Sequence, residues 1–278
     1  MIPDPPQLSF LPIGSLIFHE RHDSQRTPPL IERIRESGLF RNPPIVAPLE
    51  DGSGRFMVLD GANRITALKE MGFPDVLVQI VQPGAPGLRL EKWNHVVWGL
   101  SPQDFLSGIQ EIAGVTLSQA ENLDFQPDIM GDCGLALVQL PDRRRYAACS
   151  SSPELLRRVG LLHAIVDSYK ERAWLDRTGV QDIELLAGVY ADLSGLIVFP
   201  NFTIQDILQL SGAGNLLPAG ITRFTVSPRA LHVNYPLYEL ASHKPIEEKN
   251  AELQEWIQRR ISQKGVRYYA EATFLYDE

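Results

Sequence analysis

The chain has 278 residues, 44 % of them hydrophobic and 22 % charged, which is the composition of an ordinary globular protein with the length for one large domain or two smaller ones. Its formal net charge of −8 argues against broad nucleic-acid affinity, which needs a basic surface. No apolar run approaches the roughly 20 residues of a membrane span, and the first residues lack the basic and apolar regions of a signal peptide. Cys133 and Cys149 have no metal-binding spacing, so we expect buried thiols in a reducing cytoplasm.

Hydrophobic patterning in the first 83 residues predicts one compact α+β unit. Thr27 and Pro28 suit the cap and the first position of a helix that Gly38 would end. Asp51–Gly54 is a turn of the hairpin type between two apolar runs, so the unit has the order αββαβ after an initial extended segment. The predicted elements are a strand or strand–turn over 11–18, a helix over 27–37, strands over 45–49 and 55–59, a helix over 62–71 and a strand over 75–81.

A proline- and glycine-rich break at Pro83–Gly87 follows, and we expect domains over 1–83 and 84–278. The second part also mixes helices and strands, so the fold class is α+β, with a cleft between two lobes. Its predicted elements are an extended stretch over 88–100, a helix opened by Ser101-Pro102, paired strands over 135–140 and 146–149, a long helix from Ser152-Pro153 to about Trp174, a strand over 196–199, a short helix from Thr203, a strand after the turn at 218–220, a charged helix over 247–262 and a closing strand over 266–276.

The corner between a strand and an amphipathic helix at Asp60-Gly61 is the strongest candidate for chemistry. The backbone N–H groups from Gly61 to Arg64 point forward at the start of that helix, where the helix dipole also favours an anion. Phosphate is the usual ligand at such a place, and Gly61 lets it approach the backbone closely. Arg64 can donate to phosphate oxygens, and Asp60 can hold a metal ion that bridges phosphates. The alternative is an ordinary Asp-capped turn with an arginine on the surface.

Other candidate side chains lie far from this corner in sequence. Glu20 follows His19 at the end of a strand, where its carboxylate is either a general base or a surface group. His95 lies on the same side as Trp93 if the strand alternates, and it is either a stacked core histidine or a substrate contact. Arg223 follows a flexible turn and would need a partner if buried, which a substrate carboxylate could supply. The common nucleotide-binding and hydrolase motifs are missing.

Several short motifs together resemble known families. They are Leu11-Pro12-Ile13, His19-Glu20, Asn42-Pro43-Pro44-Ile45-Val46, Val58-Leu59-Asp60-Gly61-x-x-Arg64 with Ala67-Leu68 and Gly72, Trp93-x-His95, Pro218-Ala219-Gly220-Ile221-Thr222-Arg223-Phe224 and Arg229-Ala230-Leu231. The N-terminal motifs resemble the ParB/sulfiredoxin-like fold, which partition proteins, sulfiredoxins and small kinases share. The later motifs resemble the free L-serine kinases, which include ADP-dependent archaeal enzymes and the ATP-using enzyme of siderophore biosynthesis. The resemblance covers about residues 8–276.

The resemblance implies a kinase that transfers a phosphoryl group from ATP or ADP to the hydroxyl of free L-serine, giving O-phospho-L-serine, with Mg²⁺ as cofactor. Glu20 would take the hydroxyl proton, and Asp60 would help to hold the metal. The nucleotide phosphates would be bound by Gly61, Ala62, Asn63 and Arg64. The serine pocket would be lined by His19, Trp93, His95, Thr222 and Arg223, with Arg223 on the carboxylate. The family commonly has His at the position of Asn63, and Asn can donate a hydrogen bond but cannot carry a charge, so nucleotide preference and rate depend on this position.

Two other functions fit parts of the pattern. A non-catalytic ParB-like nucleotide- or DNA-binding regulator fits the N-terminal motifs and Asn63, but the net charge of −8 and the lack of a helix-turn-helix and of a Gly-Glu-Arg-Arg run argue against it. Sulfiredoxin chemistry needs a cysteine in the phosphate loop, and positions 61–64 contain none. We therefore expect a cytoplasmic monomer or homodimer that binds serine and a nucleotide, and neither membrane nor nucleic acid.

Overall fold

The N-terminal unit is built on a mixed five-stranded sheet. A computed structural model describes residues 4–21, 27–120 and 133–269. The elements of this unit are β1 (Leu8–Pro12), β2 (Leu16–Phe18), α1 (Thr27–Ser37), β3 (Leu39–Phe40), β4 (Ile45–Pro48), β5 (Phe56–Asp60), α2 (Ala62–Glu70) and β6 (Asp75–Ile80). The sheet has the order β1-β6-β4-β5-β2, in which β5 runs antiparallel to β4 and parallel to β2. The hairpin predicted across 51–54 is therefore confirmed.

The second part contains a six-stranded sheet and a separate two-stranded ribbon. Its elements are β7 (Leu88–Lys92), β8 (Asn94–Trp98), α3 (Pro102–Gln110), β9 (Val115–Gln119), β10 (Gly134–Gln139), β11 (Arg145–Ser150), α4 (Leu155–Lys170), β12 (Trp174–Thr178), β13 (Leu193–Val198), α5 (Ile204–Gly212), β14 (Thr222–Val226), β15 (Tyr235–Pro236), α6 (Leu237–Leu240) and α7 (Ile246–Ser262). The larger sheet has the order β12-β8-β13-β10-β11-β9, and β7 pairs with β14 in the ribbon. The mixed α+β class is confirmed.

Apolar cores tie the two parts of the chain together. On one face of the first sheet, Met57 belongs to the same buried cluster as Phe105 of α3. On the opposite face, Val58 packs in a cluster with Leu68 of α2 and Leu253 of α7, so the C-terminal helix returns to the N-terminal unit. None of the helices that the structure describes is both long and apolar enough to cross a membrane. One buried cluster contains residues from both parts of the chain, and the predicted domain boundary between 83 and 84 stays a prediction.

The long helix α4 is shorter than predicted at both ends. Glu154 is its cap residue, so Ser152 and Pro153 lie outside, where the Ser152 hydroxyl accepts a hydrogen bond from the N–H of Glu154 (3.2 Å). The helix ends at Lys170 because the chain from Trp174 onward pairs with β8 as strand β12. The helical spacing of apolar residues predicted a longer helix, because the local sequence does not indicate the pairing of β12 with β8.

Three smaller predictions are wrong. Residues 266–269 form no strand and are exposed, since no neighbouring strand pairs with them; residues 270–276 lie outside the described residues. Cys133 is exposed ahead of β10, and Cys149 is half-buried because its neighbours on β11 take the inward positions, so neither is a buried thiol. Thr27 begins α1, but its buried hydroxyl has no hydrogen-bond partner within the described ranges and makes no cap.

Candidate active site

The two predicted carboxylates are carried at the same edge of the first sheet. Strands β2 and β5 are parallel, with Phe18 opposite Val58. Glu20 and Asp60 each follow two residues later, and adjacent strands of a sheet lie about 4.8 Å apart. The ring of His19 holds the two strand ends together, because its Nδ1 lies 2.6 Å from the carbonyl oxygen of Val58. The fold thus brings together two residues separated by 40 positions in the sequence.

The carboxylate of Glu20 lies in a cradle formed by the turn before β14. Oε2 accepts a hydrogen bond from the N–H of Gly220 (2.7 Å). Oε1 accepts from the N–H groups of Ile221 (3.1 Å) and Thr222 (2.7 Å) and from the Thr222 hydroxyl (2.6 Å). A carboxylate oxygen has about two lone-pair sites. Oε1 is therefore fully used, while Oε2 keeps one acceptor site that none of the described residues fills. That free site is where a substrate hydroxyl can donate its proton.

The cradle is fixed by backbone pairing and by a buried histidine behind it. Leu217 donates its N–H to the carbonyl of His19 (2.8 Å), in an isolated parallel bridge between Glu20 and Leu217. Nε2 of His95 lies 3.1 Å from the carbonyl oxygen of Gly220, and its Nδ1 lies 2.7 Å from the Tyr169 hydroxyl. Burial lowers the pKa of His95 to about 4, although the bond to Gly220 opposes this. His95 therefore supports the turn from the core, with both ring nitrogens engaged.

Gly220 is the residue type that this turn requires. Its φ is +79°, a conformation that side chains with a Cβ rarely adopt. A Cβ there would also lie only 2.1 Å from Nε of Arg177. The close approach of Arg177 and the positive φ together explain why the Pro-Ala-Gly turn precedes Thr222.

A series of hydrogen bonds connects the first sheet to Glu20 through His19 and Thr222. The carbonyl of Val58 only accepts, so Nδ1 of His19 carries a proton. The Thr222 hydroxyl donates its single hydrogen to Oε1 of Glu20. Nε2 of His19 lies 2.9 Å from the same hydroxyl oxygen. His19 and Thr222 therefore orient the carboxylate together.

The corner at Asp60 holds three charged side chains. Nη2 of Arg64 lies 3.0 Å from Oδ2 of Asp60, and Arg229 pairs with the same oxygen. Burial alone would raise the pKa of Asp60, but the two arginines outweigh it and lower that pKa below its usual value. Arg64 also donates from Nη1 to the carbonyl of Asn42 (2.6 Å). Asp60 is therefore ionised, with two guanidinium groups on its Oδ2.

The helix start beyond Asp60 has the geometry of an anion site, with one correction. Gly61 has φ +95°, and a Cβ there would lie 2.9 Å from both Pro44 and the Arg64 guanidinium. The N–H of Arg64 donates to the carbonyl of Gly61 (2.9 Å) and does not point forward as predicted, because the first turn closes on itself. The amides of Ala62 and Asn63 are the ones that α2 leaves without an intrahelical partner. Oδ1 of Asn63 is buried and has no hydrogen-bond partner in the part of the chain that the structure describes.

Arg223 and Trp93 form a pair away from the cradle. The guanidinium of Arg223 lies 4.5 Å above the Trp93 ring and 3.4 Å from a carboxylate oxygen of Glu91. Side chains alternate along β14, so Arg223 lies on the opposite face of the ribbon from Thr222. Trp93 lies between β7 and β8 and not within one strand, so the alternation that placed it beside His95 does not apply.

Two cations at or near these groups were missed in the sequence. Arg229 was noted only within a motif, and its contact with Asp60 spans 169 positions, so no local pattern indicates it. Nζ of Lys92 is buried without a hydrogen-bond partner within the described residues, and burial lowers the pKa of this amine. Lys92 is opposite Thr222 in the ribbon, and an isolated lysine at the end of a strand carries no signal of burial.

Metal binding at this edge would rest on Asp60. Among the described residues, no three His, Cys, Asp or Glu side chains are grouped to hold a metal ion. Magnesium commonly uses one or two carboxylates together with substrate phosphates, and the Asp60 corner offers that donor set. Two open surface pockets of about 350 and 460 Å³ lie elsewhere, beside Ser101 and Arg89, and neither is lined by Glu20 or Asp60.

Comparison with known proteins identifies relatives over nearly the whole chain. The ATP-dependent L-serine kinase SbnI of Staphylococcus aureus is 24 % identical over 277 residues, which cover 98 % of this chain and 97 % of that protein. The chain is related to the L-serine kinases. A second relative, an ATP-dependent L-serine kinase of Staphylothermus marinus, is 28 % identical over 120 residues, 43 % of this chain and 45 % of that protein. No protein-family model matches the chain.

Solved structures of L-serine kinases share the fold. SbnI with a C-terminal truncation superposes with a TM-score of 0.70 at 22 % identity, covering 92 % of this chain and 97 % of that one. A free serine kinase in complex with AMP superposes with a TM-score of 0.70 at 13 % identity, covering 85 % of this chain and 95 % of that one. The predicted resemblance to the free L-serine kinases is confirmed.

Proposed function

We propose that the protein is a free L-serine kinase, which transfers a phosphoryl group from ATP or ADP to the hydroxyl of L-serine and releases O-phospho-L-serine. The observation that carries the proposal is the pairing of Glu20, with one free acceptor site on Oε2, and the Asp60-Gly61 corner at one edge of the sheet. The relatives named as L-serine kinases support the same reaction. We assign the N-terminal unit, residues 1–83, to the ParB/sulfiredoxin-like fold and 84–278 to the lobe that completes the cleft.

The reaction needs positioning more than covalent chemistry. The amides of Ala62 and Asn63, at the positive end of the α2 dipole, bind the nucleotide phosphates. Asp60 would hold Mg²⁺, which would supply positive charge to the phosphate oxygens. Glu20 accepts the proton of the serine hydroxyl on Oε2 as the serine Oγ–P bond forms. The bond from phosphorus to the leaving nucleotide breaks, giving ADP from ATP or AMP from ADP.

The serine pocket has an inner and an outer part. His19, Thr222 and His95 hold Glu20 in place from the protein side, since their polar atoms already have protein partners. Arg223, stacked on Trp93 and paired with Glu91, lies on the face of the ribbon opposite Thr222, so its predicted role at the serine carboxylate stays a prediction. The cytoplasmic location and the monomeric or homodimeric state stay predictions.

Asn63 bears on the choice between ATP and ADP. Its buried Oδ1, to which no described residue donates, can accept a hydrogen bond, and its amide nitrogen can donate one to phosphate, but the side chain supplies no charge. We expect the net positive charge of the corner, where two guanidinium groups face one carboxylate, to balance the phosphate charge instead.

The test is direct. The full chain is incubated with L-serine, Mg²⁺ and either ATP or ADP, and the products are analysed for O-phosphoserine by mass spectrometry, with D-serine and L-threonine as control substrates. We expect phosphoserine from L-serine with one nucleotide or both. The absence of product with either nucleotide, from folded protein, would contradict the proposal.

A further inference from the structure

The segment that follows β14 is fastened to the N-terminal unit on both sides of Arg229. The side chain of Gln79, which is 3 % exposed on β6, donates to the carbonyl of Pro228 (2.9 Å) and accepts from the N–H of Ala230 (2.9 Å). Further along, His232 donates its N–H to Oδ1 of Asn42 (2.9 Å). The backbone at 228–232 is thus held by the side-chain amide groups of Gln79, which is buried, and of Asn42, which is half-buried, both in the N-terminal unit.

This fastening places Arg229 at the phosphate corner independently of its ion pair. Gln79 satisfies the backbone on either side of Arg229 in the manner of a strand neighbour, and such bonds to buried groups are costly to break. The guanidinium then reaches Oδ2 of Asp60, which is the oxygen that Arg64 also contacts. The Asp60–Arg229 contact follows from the fold and is not what creates it.

The two arginines at Asp60 differ in how firmly their side chains are held. Arg64 has 19 % of its side chain exposed and a second bond to the carbonyl of Asn42, which locks it in place. Arg229 has 35 % of its side chain exposed and bonds Asp60 through Nη2. Only the more exposed arginine can move toward a ligand without breaking a bond to the backbone.

Charge at the corner favours an anionic ligand. One carboxylate and two guanidinium groups leave a net charge of +1, next to the positive end of the α2 dipole. If Asp60 turns to a metal ion, Arg229 loses its partner while staying beside the bound phosphates. An arginine in that position binds phosphate oxygens with its planar fork of donors.

We propose that Arg229 is a nucleotide phosphate-binding residue, which exchanges Asp60 for phosphate oxygens when the nucleotide binds, whereas Arg64 stays as a structural partner of Asp60. The inference rests on the nucleotide site of the proposed function. It assigns to the late segment of the chain a direct part in binding the phosphate donor.

The test compares ligands that differ in phosphate. Isothermal titration calorimetry measures the Kd of ADP and of adenosine for the wild-type chain, Arg229→Gln and Arg229→Lys, with the exposed helix variant Arg33→Gln as the matched control. Loss of a charge-assisted bond weakens ADP binding by about 10- to 100-fold in Arg229→Gln. We expect a smaller loss in Arg229→Lys, no change in Arg33→Gln and no change for adenosine in any variant.

Three results would overturn the inference: unchanged ADP affinity in Arg229→Gln, an equal loss for ADP and adenosine, or no ADP binding by the wild-type chain. A melting temperature measured for each variant separates lost contacts from lost folding. If ADP binding depends on Arg229 but no phosphoserine forms with any donor, the kinase proposal fails and the phosphate-binding role of Arg229 stands.

Discussion

Replacing Glu20 by Gln tests the base and its cradle together. Gln has the same shape as Glu, and its amide oxygen can take the place of Oε1 and accept from the same three donors. The amide nitrogen then replaces Oε2 and faces the N–H of Gly220, which loses its acceptor. An unsatisfied buried donor costs about 1–3 kcal/mol, so the free energy of unfolding falls by that amount.

The effect on turnover is larger than the effect on stability. A positioned general base contributes about 10²–10⁴-fold to rate, so kcat for phosphoserine formation falls by about that factor. The fall corresponds to a rise of about 3–5 kcal/mol in the activation free energy. Nucleotide binding persists, because the amides of Ala62 and Asn63 lie at the adjacent corner. The assay combines kcat at saturating serine, ADP affinity by calorimetry and chemical denaturation of the same samples.

Two control variants separate charge from packing. Glu20→Asp keeps the carboxylate but shortens its reach, so it retains more turnover than Glu20→Gln if the carboxylate is the base. Glu32→Gln, on the exposed face of α1, makes the same chemical change away from the cradle and leaves turnover unaltered. Unchanged kcat in Glu20→Gln at full occupancy would refute the assignment of the base.

Three further changes test the surroundings of the site. Gly61→Ala combines a positive φ with overlap against Pro44, so it lowers the free energy of unfolding by more than the roughly 1 kcal/mol expected for the control Gly52→Ala, where φ is similar but the space is open. We also expect only Gly61→Ala to weaken ADP binding. Equal effects of the two variants on stability and on ADP affinity would remove the special role of Gly61. Because the pKa of His95 is lowered to about 4 in the folded chain, the unfolded chain binds more protons than the folded one between about pH 6.5 and 4. The free energy of unfolding therefore falls by up to about 3 kcal/mol as the pH drops through that range. Denaturation curves of His95→Gln should lose this part of the pH dependence, and wild-type and variant stabilities that change in parallel with pH would contradict it. Lys92→Met removes a buried amine that has no hydrogen-bond partner among the residues described, so the free energy of unfolding rises by about 1 kcal/mol. A fall would show that the amine has a stabilising role in solution.

Local patterns in the sequence predicted those elements whose signals are local. The α2 helix with its stop at Gly72, the hairpin across 51–54 and the short helix α5 were all predicted, and the Thr203 capping box at the start of α5 is present. Strand β12 was missed because its pairing with β8 is formed across the chain, and the helix before it was extended too far for the same reason. Patterns of local spacing cannot show which distant strand a segment will find.

The candidate site divides in the same way. The Asp60-Gly61 corner has a local signature of strand, turn and helix, and the sequence indicated it. The cradle of Glu20 depends on a turn 200 positions away, and the ion pair of Arg229 with Asp60 depends on Gln79, so neither can be derived from spacing. The resemblance to the serine kinases supplied Glu20 as the base, while its donors and the free site on Oε2 came only from the fold.

The most direct measurement of the central claim is a crystal structure of the full chain with L-serine, Mg²⁺ and ADP or a non-hydrolysable ATP analogue. We expect the serine hydroxyl within about 2.6–3.2 Å of Oε2 of Glu20 and the nucleotide phosphates at the amides of Ala62 and Asn63. Phosphates bound away from that corner, or a serine hydroxyl with no contact to Glu20, would contradict it.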